Sequence, residues 1–192
     1  MISIRASALI GLLISTSACS KTVTWTEEVK LSTSQTIILE RETHHIPGGG
    51  ELFRGTGWRP ELYIIRFKHN YPPRQNLEIE WRTTKWDAER VTDPEMPLVL
   101  DIDPKGIPFI ITIHGLRGAC FEYLRYVYRD GGWYEDSLPA EFEPREANLY
   151  IAAAALDVPR QVSLKEKRTV LDNFQYRQRR KQVGPKQSDC RA

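Results

Sequence analysis

The stretch from Ile107 to Ile113, Ile-Pro-Phe-Ile-Ile-Thr-Ile, most constrains what this chain can fold into. Read as a strand it is apolar on both faces, so it needs cover on each side and belongs in the middle of a sheet. Its surroundings supply the neighbours. Pro97-Leu-Val-Leu-Asp-Ile-Asp103 precedes it across a Pro104-Lys105-Gly106 turn, and Cys120 to Arg129 follows, aromatic and alternating. Asp130-Gly131-Gly132 then turns the chain into Trp133-Tyr134. Short runs rich in Ile, Val, Phe and Tyr, punctuated in this way, predict consecutive antiparallel strands.

The same signal runs through the first half of the chain. From Thr22 to Leu31, Val23, Trp25, Val29 and Leu31 alternate with Thr22, Thr24, Thr26, Glu28 and Lys30; Glu27 alone breaks the apolar face. Ser32-Thr-Ser34 turns the chain into Thr36 to Thr43, completing a hairpin. A second pair is predicted from Glu61–Lys68 and Asn76–Arg82, with Tyr63, Ile65, Phe67, Leu77, Ile79 and Trp81 on the dry face. His44 to Arg59, which holds Pro47 and Gly48-Gly49-Gly50, reads as an irregular loop. Beyond Leu138 the pattern changes. Ala152 to Ala155 between flanking prolines predicts a helix over Arg145 to Leu156. Ser163-Leu-Lys-Glu166 is a capping box opening a second helix, with Leu164, Leu171 and Phe174 on one face and Gly184-Pro185 as its stop. The expected fold is therefore mainly β: an antiparallel sandwich or partly closed barrel of seven or eight strands, with two C-terminal helices. The domain boundaries follow: residues 1–18 a signal peptide, 19–144 the β domain, 145–192 a helical, basic extension packed on it. Trp25, Trp81 and Ile111 are expected in the core.

A length of 192 residues, 41% hydrophobic and 27% charged, suits one folded domain with a proper core and excludes a disordered chain. No apolar run reaches the roughly 18 residues of a membrane-spanning helix. Residues 1–18 have Arg5 as their only charged side chain, an apolar centre at Ala8–Ile14, and small residues Ser15-Thr-Ser-Ala18 before Cys19. That is the layout of a secretory signal. It resembles a bacterial lipoprotein signal, in which the cysteine after the cut is lipidated; Ser17, Ala18 and Cys19 match, and Thr16 stands where Leu is usual. A plain secreted protein cut after Ala18 is the alternative. Ser20, rather than Asp, after the cysteine points to the outer membrane.

Lipidation at Cys19 would leave Cys120 and Cys190 in an oxidising compartment, where a Cys120–Cys190 disulfide is the natural pairing. The other reading is a buried Cys120 and an idle Cys190. From Lys165 onward nine basic residues face three acidic ones, whereas Cys19–Leu164 carries 17 basic and 22 acidic. The densest basic run holds Arg177, Arg179, Arg180 and Lys181. In an envelope compartment nucleic acid is not its partner; an anionic envelope polymer or an acidic protein face is. The bland reading is a solvated helix face docked on the acidic body.

Motifs with chemistry are sparse. Gly48-Gly49-Gly50 lacks the Lys-Ser/Thr and helix start of a phosphate cradle. His44, His45, His69 and His114 show no metal-ligand spacing, and Asp101-x-Asp103 lacks the later ligands of a calcium loop. No Gly-x-Ser-x-Gly occurs. Cys120 with His114, Glu135-Asp136, and an inward Glu27 are the remaining candidates for nucleophilic or acid–base work; Arg66, Arg82 and Arg125 are candidate partners for Glu27. No cofactor is implied.

Cys19 followed by Trp25-Thr26-Glu27-Glu28-Val29 resembles the start of small uncharacterised bacterial envelope lipoproteins, which carry a Trp-x-Glu-Glu-Val segment and a β-rich body after their lipidated cysteine. The likeness covers Cys19 to Arg41 and is looser in the central stretch. It implies an address and a fold class, with no activity to carry over. The expected function is a non-enzymatic periplasmic interaction or envelope-assembly module, anchored by Cys19 in the outer membrane. An envelope hydrolase with an unrecognised site is the competing class.

Overall fold

The structure, a computed structural model, describes residues 20–47, 57–71, 74–83, 94–115, 121–139, 142–151, 156–173 and 182–184. Two antiparallel sheets dominate it. The first is built from β1 (Lys21–Lys30), β2 (Thr36–Pro47), β3 (Trp58–Tyr71) and β4 (Arg74–Arg82), each paired with the next in sequence. The second is built the same way from β5 (Met96–Ile102), β6 (Pro108–Gly115), β7 (Phe121–Arg129) and β8 (Gly132–Asp136). Neither sheet closes on itself, so among the described residues the molecule is not a barrel. The expected hairpins are present. His44 to Pro47 and Trp58 to Arg59, read as loop from the sequence, extend β2 and β3, because His45 and Ile46 continue the alternation and pair with Pro60 and Arg59.

β6 has the interior position that its composition demands. Pro108 to Ile113 are all buried. Ile110 and Thr112 lie on the face shared with Tyr126 and Leu124 of β7, and Tyr126 packs against Trp81 of β4 with ring centroids 5.8 Å apart and planes tilted by 55°. That face meets the first sheet. Trp25, Leu39, Ile65, Ile79 and Trp81 join Leu98, Leu100, Ile110 and Leu124 in one buried cluster. Trp25, Trp81 and Ile111 are core, as expected. The turns carry the predicted chemistry. Asp103 accepts from the backbone N–H of Lys105 and Ile107 and precedes Gly106 at φ +80°, while Asp130 and Gly131, at φ +52° and +83°, make the paired left-handed turn that suits a two-residue hairpin.

The C-terminal third differs from expectation. The described residues of 145–156 contain no helix: Arg145–Glu146 is a short strand, β9, and Ala147–Tyr150 is irregular. The physical reason is Asn148. Its side chain accepts from Leu100 N–H at 2.9 Å and donates to Leu100 C=O at 2.7 Å, while its backbone N–H reaches Leu98 C=O. The edge of β5 thus supplies hydrogen bonds that helix formation would forfeit, and Ala147, Leu149 and Ile151 enter the core. β10 (Gln161–Val162) adds a short parallel strand to β1. One helix, α1 (Leu164–Asn173), follows. Its capping box is formed as read: Ser163 N–H donates to Glu166 Oε2 at 2.7 Å, and Glu166 N–H to Ser163 Oγ at 3.3 Å. β11 (Gln182–Val183) pairs with β9, so a strand, not a helix, precedes Gly184. The segment therefore wraps the edges of β1 and β5 and contributes Val162, Leu171 and Val183 to the same core. No helix among the described residues is long and apolar enough to cross a membrane.

Candidate functional site

The one break in β1's apolar pattern marks the most unusual site in the fold. The parity that buries Trp25 and Val29 also buries Glu27, at 0% exposure. On β2 the same parity turns Leu39, Arg41, Thr43 and His45 inward, all buried. Arg41 pairs across the ladder with Trp25, and its Nη1 donates to Glu27 Oε1 at 3.3 Å. The guanidinium lies 5.2 Å from the Trp25 ring centroid, and the Trp25 indole N–H donates to Glu27 Oε2 at 3.1 Å. The C-terminal segment completes the cluster. Tyr150 N–H lies 3.3 Å from both Glu27 oxygens. Lys167, carried inward by α1, puts its Nζ 3.6 Å from Glu27 Oε1 and donates to Asn148 C=O at 2.6 Å. Burial pushes the Lys167 ammonium down to about 8, against the opposing pull of the Glu27 charge. Burial first, and then the charges of Asp157, Glu166 and Glu27, raises the Tyr150 hydroxyl.

Chemically this arrangement is a lock. Glu27 is surrounded by an indole, a guanidinium, a backbone N–H and an ammonium, which leaves its oxygens engaged on every side. A general acid or base needs an oxygen that substrate can reach. Glu27 instead ties the first hairpin to the C-terminal segment and to α1, three pieces far apart in the chain.

A second buried carboxylate behaves alike. Glu95 accepts from Tyr126 Oη at 2.6 Å and from Thr112 Oγ1 at 3.0 Å, pinning the entry to β5 against β6 and β7. Open polar geometry lies elsewhere. A cleft of about 370 Å³ is lined by Lys30, Ser32, Asp101, Glu143, Arg145 and Asn148, among others. On its floor, Asp101 accepts from Ser32 N–H and Oγ and pairs with Arg145 at 2.5 Å, while Arg145 stacks between Phe109 and Phe142. The outer face of the first sheet carries a shallower groove of about 420 Å³ around Ile38, Glu40, Arg66, Lys68 and Glu78. Ile38 is 67% exposed there, the most exposed large apolar side chain among the described residues. Beside it Arg66 bridges Glu42 and Glu80 at 2.8 and 2.7 Å. Hydrogen bonds from His44 and then Arg66 hold the Glu42 carboxyl low, and Arg82 followed by Arg66 does the same for Glu80.

The residues singled out from sequence fall in different places. Cys19, Cys120 and Cys190, with Arg177, Arg179, Arg180, Lys181 and Phe174, lie outside the described residues. His44 and His45 sit on β2, pointing to opposite faces; His44 pairs with Glu42, and His45 is buried. His69 hydrogen-bonds Gly106 C=O at 3.0 Å. Among the described residues no group of three metal-ligating side chains assembles. Asp136 pairs with Arg125, opposite in direction to Glu135 on β8. The partners of Glu27 are not Arg66, Arg82 or Arg125 but Arg41 and Lys167. Arg41 was legible, because it shares parity with Leu39 in the strand facing β1. Lys167 was not, since nothing local to α1 says which β residue it meets. Compared with known proteins, the chain matches no family model, no curated protein and no solved structure.

Proposed function

We propose that the chain is a bacterial envelope lipoprotein, lipidated at Cys19 and held at the outer membrane facing the periplasm, whose domain is a β-sandwich working by binding rather than catalysis. One observation carries the reading: the buried carboxylates are spent inside the fold, Glu27 on Arg41 and Lys167 and Glu95 on Tyr126 and Thr112. Glu27, Arg41 and Lys167 bind together three separate chain segments. What is left open is on the surface, at the Asp101–Arg145 cleft and at the groove around Ile38. An exposed isoleucine framed by Glu40, Arg66, Lys68 and Glu78 suits an apolar anchor within a polar rim. The partner is an envelope protein or an anionic envelope polymer, the latter meeting Arg177, Arg179, Arg180 and Lys181. Those basic residues lie outside the described residues and fall in sequence between α1 and β11.

The proposal also keeps the Cys120–Cys190 disulfide. Tyr123, three residues beyond Cys120, donates its hydroxyl to Gln182 C=O at 3.2 Å. The six residue-to-residue steps from Gly184 to Cys190 span at most about 20 Å, ample for a return to the start of β7.

A photo-cross-linker at position 38, in cells making the protein, tests the binding reading. It is expected to trap a discrete envelope partner, and to lose it when Cys19→Ala removes the tether. Uncross-linked protein alone in both backgrounds would contradict a binding role for this face.

A further inference from the structure

Resting on the lipid anchor proposed above, we infer that the β1-entry end of the first sheet is a bilayer-contacting face, with Lys21, Trp58 and Arg59 seated among phospholipid head groups. The tether sets the distance. β1 begins at Lys21, and only Ser20 separates it from Cys19. Two extended residues span about 7 Å, so acyl chains carried on Cys19 bring the lipid surface against this end of the sheet. A long flexible linker would have left the domain's orientation free; this chain has none.

The side chains at that end suit an interface. Lys21 pairs with His45, which pairs with Pro60; Pro47 pairs with Trp58, and Ile46 with Arg59. Lys21 on β1 and Trp58 and Arg59 on β3 therefore lie at the same end of the sheet, with the end of β2 between them. The Lys21 ammonium lies 4.5 Å from the Trp58 ring centroid, over its face. Neither Lys21 nor Arg59 forms an ion pair with a carboxylate among the described residues; Arg59 is half-buried, its Nε inside the protein. Trp58 is half-buried and Lys21 exposed. An indole with an apolar body and a polar N–H, an ammonium over its ring, and a guanidinium on the other face of the same strand end match the depth profile of a head-group region: phosphate outside, glycerol and upper acyl chain beneath. Glu61, two residues along β3 from Arg59, is the nearest carboxylate in sequence on that strand, so among the described residues two cations face one carboxylate at this end.

The opposite end of the sheet is of another kind. There the Ser32 turn contacts Asp101, and His69 contacts Gly106 of the next turn. With ten residues in β1, that end stands roughly 33 Å from Lys21. The Asp101–Arg145 cleft, which includes Lys30 and Ser32, would then open away from the membrane.

Bromolipid quenching of tryptophan decides the matter. The full mature protein, its amino-terminal mass measured first, is reconstituted in phosphatidylethanolamine/phosphatidylglycerol vesicles with acyl-brominated lipid. The quenched part of the emission is expected to fall at least twofold in Trp58→Phe and to stay unchanged in Trp133→Phe, whose ring lies at the start of β8. Equal quenching of wild type and Trp58→Phe on a lipidated chain would overturn the orientation and leave the anchor standing. An amino terminus without lipid would overturn both. Should Trp58→Phe not fold, Arg59→Glu carries the test: quenching halved supports the contact, and quenching unchanged overturns it.

Discussion

Replacing Glu27 by Gln should be among the most damaging conservative changes this protein can suffer. The carboxylate is fully buried, with Arg41 at 3.3 Å and Lys167 at 3.6 Å. At an effective dielectric of about 20, each contact is worth roughly 5 kcal/mol of attraction. Much of that is offset by the cost of burying the carboxylate itself, which Gln does not incur. Glu27→Gln nevertheless leaves two buried cations facing each other without an anion. It also turns an amide N–H₂ towards donors, where both oxygens had accepted. The net loss expected from breaking such a cluster is about 3–5 kcal/mol. For a chain of this size that corresponds to a fall in melting temperature of about 6–20 °C. Thermal unfolding followed by near-ultraviolet circular dichroism reads it directly, because Trp25 is part of the cluster. Adding Lys167→Met removes one uncompensated cation and should recover about 1–3 kcal/mol. Glu27→Gln melting within 2 °C of wild type (roughly 1 kcal/mol or less), or a double mutant showing no recovery, would refute the view that this cluster holds the C-terminal segment on the sheet.

Lys167 gives a pH signature with a definite sign. Because burial lowers its folded value to about 8 from 10.5, the unfolded chain binds the extra proton between those values. The contribution of this group to stability therefore rises as pH climbs from 8 towards 10.5, and is flat below 8, where both states are protonated. At roughly 1.4 kcal/mol per pH unit the gain is about 3 kcal/mol; it should be present in wild type and absent in Lys167→Met, so the difference between their melting curves should change by that amount across the window. Gly184→Ala should cost about 1–3 kcal/mol: the residue sits at φ +87°, and an added Cβ would lie 2.8 Å from Phe142 Cδ1, so equilibrium urea unfolding should show a lower midpoint. Non-reducing peptide mapping of envelope-purified protein should return a Cys120–Cys190 linked peptide. In the chain-entropy model that bond contributes about 4 kcal/mol, which reduction should remove.

How much of this was legible follows from where each signal is stored. Period-two alternation is local, so the two hairpins, the interior position of β6 and the burial of Trp25 and Trp81 could be read from residues side by side in sequence. Turn chemistry at Asp103–Gly106 and Asp130-Gly131 is local too, as is the capping box at Ser163–Glu166. The segment after Arg145 was misread because its conformation is decided by a distant partner. Asn148 completes the hydrogen bonding of β5, which holds Ala147 to Tyr150 in an irregular path; Ala152 to Ala155 lie outside the described residues. Glu27 was recognised as an anomaly from its parity alone. Its ammonium partner required knowing that α1 packs on β1, a contact between residues 140 positions apart. The lipidation proposed at Cys19 and the bond proposed between Cys120 and Cys190 rest on sequence and compartment logic alone, since all three lie outside the described residues.

The most direct test of the central claim is the mass of the mature amino terminus, taken from protein extracted with detergent from the membranes of the producing cell. The expected result is a chain beginning at Cys19 that carries a thioether-linked diacylglycerol and an amide-linked acyl group. An intact Met1, or a chain beginning at an unmodified Cys19, would contradict the anchor, and with it the membrane-facing orientation of the first sheet.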